Sequence, residues 1–247
     1  MQEQRHYPNA PITEAIIDFR VTLPEDFSFD RLLAIQDEIQ ELFPTSEILQ
    51  ANTFLIEPGS TMSVNAQSQK NGLAFTGKDQ RKKVQVTLSG FTFSHLAPYS
   101  SWNNFHKEAK LLWQIYKNIC QPINVTRAAV RFVNQINIPV LEKVELNDYL
   151  RTVPDVSTDL TQGMLSSFFM QLQIPQTDLN CILIINEALA PQVTPGFMSI
   201  ILDIDLYREQ LWQSNDESIW TFLEKLHLRK NQVFEASITD KTRRLFE

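Results

Sequence analysis

Glycine is scarce in this chain: only six of its 247 residues are glycine. The phosphate-binding loops of many nucleotide-binding proteins need closely spaced glycines, because a side chain would keep the backbone away from the phosphate. Neither the GxxxxGK[ST] pattern nor the GxGxxG pattern occurs in the sequence. We therefore expect no glycine-cradled nucleotide site and predict no cofactor.

Cysteine and long apolar runs are also rare. Cys120 and Cys181 lie in apolar surroundings without CxxC spacing, which is typical of buried thiols in a reduced compartment. No run approaches the roughly 18 apolar residues that a membrane span needs. The first residues, MQEQRHYPNAP, lack the apolar core of a signal peptide. These absences predict a cytoplasmic protein with no membrane partner.

The charge balance is acidic, with a net charge of −7. A negative protein repels nucleic acid at long range, so nucleic acid is a less favoured partner than another protein. The four histidines have no metal-ligand spacing, and no GxSxG motif occurs. The histidines are His6, His95, His106 and His227. We predict no metal site and no catalytic residues, and whether any histidines meet in space stays open.

Hydrophobic periodicity predicts alternating strands and helices along the chain. In the first half, we predict a strand at 15–23, a helix at 29–43, extended segments at 47–58, 63–79 and 82–96, and a helix at 101–120. In the second half, we predict a strand at 125–140, a short helix at 146–153, strands at 166–176, 179–189 and 196–209, and a helix at 217–238.

A weak internal repeat relates the two halves. Thr13 and Phe19 in TEAIIDFRV recur as Thr126 and Phe132 in TRAAVRFVN, and a similar offset relates the helices at 101–116 and 218–233. Each half reads β-α-β-β-β-α, with boundaries at 1–122 and 123–247. We predict an α+β fold: a tandem, pseudo-symmetric repeat with a curved antiparallel sheet and helices on one face, of helix-grip or TATA-binding-protein-like topology, packed as one compact unit.

Four segments carry a family resemblance. They are YPNAPITEAIIDFRV, PYSSWNNFHKEAKLLWQIY, RAAVRFVNQINIP and FEASITDKTRRLFE. Together they resemble a sporadically distributed, uncharacterised prokaryotic family of proteins of about this length. The resemblance implies a bacterial protein, and patchy occurrence is typical of genes in defence or toxin–antitoxin loci. It assigns no catalytic residue.

Charged residues alternate along the first strand of each half. Strand 13–23 carries Glu14 and Asp18 on one face, and strand 125–133 carries Arg127 and Arg131 on one face. If the two strands are neighbours, these residues can form charge pairs across the seam of the sheet. In a functional alternative, the same residues form the charged floor of a concave groove. We favour the interpretation that they pair with one another and stabilise the sheet.

Two carboxylates, Asp203 and Asp205, share one face of the predicted strand at 196–209. Such a pair could bind a metal or raise the pKa of one member. We favour the alternative that they lie on the solvent-exposed face of an edge strand, where charge opposes aggregation.

Cations cluster at a predicted hairpin and near the end of the sequence. They are Lys78, Arg81, Lys82, Lys83, Lys241, Arg243 and Arg244. Contact with nucleic acid is one interpretation, and solvated turn and helix-terminal charge is the favoured one. Leu245 and Phe246, two apolar residues beside the second cluster, are candidate anchors that pack on the chain itself, on a second copy or on another protein.

The sequence thus favours a non-enzymatic protein-interaction module whose partner is another protein, encoded by a neighbouring gene of a defence or toxin–antitoxin locus. A homodimer is a further alternative for the partner. A nucleic-acid-binding or RNA-processing protein that uses the basic hairpin and tail is the second hypothesis. A small-molecule binder in a groove between the sheet and the helices is the third.

Overall fold

The structure, a computed structural model, describes residues 5–57, 63–140, 144–161, 165–191 and 195–247. The strands in these ranges are β1 (Ile12–Thr22), β2 (Thr45–Glu57), β3 (Ser63–Thr76), β4 (Lys82–Thr87), β5 (Gly90–Leu96), β6 (Asn124–Pro139), β7 (Phe169–Gln176), β8 (Cys181–Leu189) and β9 (Phe197–Gln213). The helices are α1 (Phe29–Leu32), α2 (Ala34–Ile39), α3 (Trp102–Cys120), α4 (Ser218–Ser237) and α5 (Asp240–Arg243), with a 3-10 turn at Leu146–Asp148.

The strands form one antiparallel sheet in the order β2-β3-β4-β5-β1-β6-β9-β8-β7. β1 pairs with β6 in the middle of this order and joins the two halves of the chain. The helices pack on one side of the curved sheet. The predicted α+β class, with an antiparallel curved sheet and helices on one face, is confirmed.

The alternation of the strand residues explains why helices cover only one side. Ala15, Ile17 and Phe19 on β1 are completely buried, as are Val130 and Phe132 on β6. The residues between them point to the opposite side, because successive side chains of a strand alternate between the two faces. This opposite side carries many charged and polar residues, so no helix is needed to cover it.

The segment predicted as one strand at 82–96 is a hairpin of β4 and β5. Thr87 lies opposite Gly90, so Leu88 and Ser89 form a two-residue turn. The Ser89 backbone N–H donates to the Thr87 hydroxyl at 3.2 Å. Gly90 is required here because a Cβ would lie 2.2 Å from the Phe19 carbonyl oxygen. The first half therefore contributes five strands to the sheet and the second half four.

Two predicted helices are shorter than expected. The segment 29–43 forms α1 and α2, of which α2 ends at Ile39, and the buried Phe43 lies beyond that helix end. The predicted helix at 146–153 is only a 3-10 turn, because Leu150 pairs with Ile238 in a β-bridge and leaves the helical path. Residue 58, at the end of the predicted segment 47–58, lies outside the described residues.

An aromatic cluster joins the sheet to both long helices. Phe19 on β1 lies 4.7 Å from Trp113 on α3 and 5.5 Å from Trp220 on α4, measured between ring centroids. Phe91 on β5 extends the cluster to Trp113 at 5.7 Å. Such aromatic contacts add stability beyond the area that they bury. The central strand and the two helices are therefore fixed relative to one another.

The two apolar residues near the end of the sequence pack on the chain itself. Phe246 is buried, with its ring 5.5 Å from Tyr7 and 6.1 Å from Phe234, and its carbonyl accepts from the Asn9 N–H at 3.0 Å. Leu245 packs against the same core and is partly buried. Of the alternatives open for these residues, packing on the chain itself is the one observed. The Phe246 side chain is already covered by the chain itself.

The outer edge of β7 is one border of the sheet. The Leu189 N–H donates to the Phe168 carbonyl, so by alternation the backbone groups of Phe169, Gln171 and Gln173 face away from β8. Pro175 occupies the next outward-facing position. Proline is tolerated there because its missing N–H would have had no partner within the sheet.

Truncation of the central aromatic residue tests this account of the core. Phe19→Ala should lower the free energy of unfolding by about 3–5 kcal/mol, because it leaves a cavity among Phe91, Trp113 and Trp220. Leu111→Ala, on the exposed face of α3, is the matched control and should change it by no more than about 0.5 kcal/mol. Urea unfolding of both variants measures the difference, and equal losses would contradict the packing described here.

Candidate binding face of the sheet

The side of the sheet opposite the helices is called the open face here. Its central side chains come from alternate residues of the strands: Glu14, Ile16, Asp18 and Arg20 on β1, Arg127, Ala129 and Arg131 on β6, Asp203, Asp205 and Tyr207 on β9, Thr92 and Ser94 on β5, and Lys83 and Gln85 on β4. Five of these residues on the two central strands, β1 and β6, are therefore charged. The open face is therefore a polar surface that the helices leave uncovered.

Asp18 is the centre of one charge network on this face. It accepts hydrogen bonds from the Arg127 guanidinium at 2.6 Å and from the Thr92 hydroxyl at 2.8 Å. Arg20 lies directly opposite Arg127 across the β1–β6 pair, an arrangement that would be repulsive on its own. The Arg20 side chain approaches the same carboxylate at 3.7 Å. Asp18 thus offsets the repulsion between the two arginines.

Arg131 is the centre of a second network. Its guanidinium donates two hydrogen bonds to Asp203, at 2.8 and 2.7 Å, and Asn186 donates to the same carboxylate at 2.9 Å. Gln171 then donates to Asn186 at 2.8 Å, so the network extends to β7 at the edge of the sheet. Hydrogen bonds to Asp203 raise the pKa of Arg131. The network therefore links four strands, β6, β9, β8 and β7.

Only some of the charge pairs predicted across the seam between β1 and β6 are formed. Asp18 and Arg127 form an ion pair, as the alternation on β1 and β6 predicts. Arg131 turns away from Glu14 and binds Asp203, because the carboxylate on β9 offers it a two-pronged partner. Glu14 acts on Arg131 only at longer range. Arg131 therefore lies on the predicted face of the sheet, but its partner belongs to β9 and not to β1.

Asp203 and Asp205 do not lie on an edge strand. β9 is an inner strand between β6 and β8, so the favoured interpretation of these residues is wrong. The Asp203 side chain is only 5% exposed beneath Arg131. Asp205 accepts from Arg127 at 3.3 Å, while its other oxygen has no hydrogen-bond partner. Burial raises the pKa of Asp205, and the two arginines act in the opposite direction.

Two adjacent grooves run across the open face. The charged groove has a volume of about 530 Å³ and is lined by Glu14, Ile16, Asp18, Arg20, Lys83, Gln85, Thr92, Ser94, Arg127, Ala129, Arg131 and Asp205. The tyrosine groove has a volume of about 540 Å³ and is lined by Arg20, Thr126, Arg127, Ile184, Tyr207 and Glu209. Arg20 and Arg127 line both, so a single ligand can occupy the two grooves together.

The cations of the charged groove lie nearer to solvent than its central carboxylates. The side chain of Arg20 is 60% exposed and that of Arg131 is 46% exposed, whereas that of Asp18 is 20% exposed. Lys83 is also exposed. The carboxylates hold the guanidinium groups from below, so a ligand first meets positive charge. The groove is therefore locally cationic at its surface in a protein of net charge −7.

The predicted basic clusters do not form one surface. Lys82 lies on the helix side and binds Glu108 at 2.8 Å. The next residue, Lys83, lines the charged groove on the opposite side. Lys241 binds Asp148 at 2.8 Å and Arg243 binds Glu235 at 2.9 Å. The remaining cations of the two clusters, Lys78, Arg81 and Arg244, are exposed.

Three of the four histidines lie around the start of α3. The rings of His227 and His106 lie 4.3 and 5.2 Å from Trp102, and His95 lies 6.5 Å from Phe105. Burial lowers the pKa of His227 to about 3, so its ring is neutral at pH 7. His6 is exposed. The described residues contain no group of three or more histidine, cysteine or acidic side chains that could hold a metal ion.

Two ionisable groups on the helix side are buried, and their burial was not predicted from the sequence. Glu187 is buried on β8, and neither oxygen has a hydrogen-bond partner, so burial raises its pKa to about 7. Lys230 on α4 is buried with its ammonium 3.9 Å from the Phe132 ring, and burial lowers its pKa to about 7. For Glu187 the sequence does contain a signal of burial. Leu183, Ile185 and Glu187 occupy alternate positions of one strand and therefore lie on the same face.

No protein-family model and no curated protein matches this chain. Among the described residues, no helix combines the length and the apolar character that crossing a membrane requires. The functional assignment therefore depends on the geometry of the open face.

Removal of the buried carboxylate beneath Arg131 tests the second network. Asp203→Ala should lower the free energy of unfolding by about 1–3 kcal/mol, because it removes three charge-assisted hydrogen bonds at an inner strand. Asp148→Ala, which breaks the exposed pair with Lys241, is the control and should cost no more than about 1 kcal/mol. Urea unfolding of both variants gives the comparison, and an equal or smaller loss for Asp203→Ala would contradict the network.

Glu187 should make stability depend on pH. Its folded-state pKa is raised, so its contribution is full below the unfolded value near 4.5 and is lost as the pH rises through about 7. His227, held neutral by burial, changes stability in the opposite direction over part of this range. Comparison with Glu187→Gln removes that background. The variant should gain about 3 kcal/mol relative to the parent protein between pH 4.5 and 8, measured by urea unfolding. A flat difference would contradict the buried, unpartnered carboxyl.

Proposed function

We propose that this protein is a cytoplasmic, non-enzymatic interaction module that binds another protein on the open face of its sheet. The observation that carries the proposal is the pair of grooves over the β1–β6 seam. They lie on the side that the helices leave uncovered, and ion pairs with Asp18 and Asp203 fix the orientation of Arg127 and Arg131. Such a surface supports recognition by shape and charge.

The ion pairs beneath the grooves support a binding role on energetic grounds. Association costs free energy when flexible side chains become ordered. Arg127 is held between Asp18 and Asp205 and lies 4.3 Å from the Tyr207 ring, and Arg131 is held by Asp203. These side chains are ordered before any partner arrives. These arginines therefore lose little further conformational entropy when a partner binds.

The same pairing favours recognition over catalysis. A general acid or base must exchange a proton at the operating pH, and it works best when its carboxylate or imidazole is free to do so. The carboxylates of Asp18, Asp203 and Asp205 each hold an arginine. The histidines with pKa values lowered by burial lie on the helix side, away from the grooves.

The other two hypotheses have less support. Binding of nucleic acid by the basic hairpin and tail would use cations of which Lys82, Lys241 and Arg243 already have carboxylate partners. A small-molecule site between the sheet and the helices would need room where Phe19, Phe91, Trp113 and Trp220 pack together.

We also propose that the two halves are a tandem repeat of helix-grip or TATA-binding-protein-like topology, with a division near residue 122. In support, each half places its first strand at the centre and its later strands outward in reverse chain order. A partner encoded by a neighbouring gene of a defence or toxin–antitoxin locus is the proposed biological setting. A homodimer is the alternative partner.

Groove variants test the proposed function in a bacterial host that encodes the protein. Tagged protein, treated with nuclease, should retain a stoichiometric protein partner, and Lys83→Glu and Gln85→Trp should reduce that partner at least tenfold. Both side chains are exposed and line the charged groove, so these variants should fold. Mass spectrometry of the eluates measures the loss.

Matched controls lie on the exposed surface of α3. Lys107→Glu repeats the charge reversal and Asn103→Trp repeats the steric change, and both should retain the partner. Equal retention by groove and control variants, or recovery of no partner, would refute the proposed function.

A further inference from the structure

The two grooves offer different chemistry to one ligand. The charged groove presents Arg20, Lys83 and Arg131 to solvent. The tyrosine groove presents the Tyr207 ring and the Ile184 side chain. Because Arg20 and Arg127 border both grooves, the cationic side chains lie next to the groove that holds Ile184 and Tyr207. A matching ligand carries negative charge next to an apolar group.

The spacing of the cations matches an extended chain better than a compact ion. Lys83, Ser94, Ile16 and Arg131 follow one another in a single row across β4, β5, β1 and β6. Three strand spacings separate Lys83 from Arg131, about 14 Å. Residues four apart in an extended peptide are separated by about 13 Å. Carboxylates at such positions can therefore reach both cations.

Weak internal pairing leaves Arg20 available to a ligand. Its closest carboxylate, Asp18, lies 3.7 Å away and already accepts hydrogen bonds from Arg127 and Thr92. Lys83 is exposed and lies opposite Ser94, an uncharged residue. A carboxylate of a ligand would gain charge-assisted hydrogen bonds from these groups without displacing an existing strong pair.

We propose that the paired grooves bind an acidic peptide segment of the protein partner. Its carboxylates contact Arg20, Lys83 and Arg131, and a neighbouring apolar side chain enters the tyrosine groove against Ile184 and Tyr207. The inference rests on the proposed function, because it specifies what the partner presents to the open face.

Local and long-range charge together favour a peptide over nucleic acid. Glu14, Asp18 and Asp205 also line the charged groove, so its cations are nearly balanced by its carboxylates. A peptide with a few carboxylates can direct each one to an exposed cation. A nucleic acid carries a phosphate at every nucleotide and would meet these carboxylates and the net charge of −7.

A fluorescein-labelled Glu-Glu-Leu-Glu-Glu peptide tests the inference by fluorescence polarisation. The full chain should bind it saturably at low ionic strength, and the affinity should fall as salt is added. Lys83→Glu should weaken binding at least tenfold, and Arg20→Gln should weaken it several-fold, while Lys107→Glu should leave it unchanged. The peptide Lys-Lys-Leu-Lys-Lys should not bind.

The apolar part of the proposal has its own test. Replacing the central leucine of the probe by serine should weaken binding several-fold. Ile184→Thr, which replaces the ethyl branch of the side chain by a hydroxyl group, should abolish the difference between the leucine and serine peptides. An unchanged preference for leucine in Ile184→Thr would overturn the assignment of the tyrosine groove.

Two outcomes would overturn the inference as a whole. One is the absence of binding by the acidic peptide, and the other is preferential binding of a single-stranded RNA probe of equal charge. Failure of the inference is distinguishable from failure of the proposed function. If the native partner is still lost in Lys83→Glu while the peptide does not bind, the open face binds protein through other chemistry. If partner capture is unaffected by groove variants, the proposed function itself fails.

Discussion

The antiparallel pairing of β1 with β6 is the constraint on which the rest of this structure depends. Its register places Phe19 opposite Ala128 and Asp18 opposite Ala129. The first pair lies on the helix side and the second on the open face. A slip of one residue would exchange the two faces of a strand, burying charge beneath the helices. One register therefore determines both the aromatic core and the arrangement of the grooves, and the outer strands are added from this pair outward.

Local periodicity was sufficient to predict most elements of the fold. The alternation in β1 and β6 and the helical spacing in α3 and α4 are long, regular patterns, and each forms the predicted element. The hairpin of β4 and β5 was missed because Val84, Val86 and Leu88 continue one alternation into the turn. The short helix at 146–153 was overpredicted because the β-bridge from Leu150 to Ile238 depends on a distant part of the chain.

The candidate site was predictable only as far as neighbouring strands could be guessed. Asp18 and Arg127 could be placed together because the first strands of the two halves were expected to be adjacent. The pairing of Arg131 with Asp203 requires knowledge that β9 lies beside β6, which no local pattern contains. The grooves also depend on sizes across several strands, since Ile16 and Ala129 leave space between the longer charged side chains. Such relationships arise from the topology of the sheet.

The position of Pro175 has a consequence for how molecules of this protein meet one another in concentrated solution. An edge strand with free backbone groups is a template on which a second chain can polymerise. β7 offers outward-facing donors at Phe169, Gln171 and Gln173, but the series ends at Pro175, which has no N–H to donate. A strand of a second chain that paired with β7 would lack one backbone hydrogen bond at Pro175. The imino acid thus limits fibre growth from this border of the sheet, at no cost to the pairing inside it.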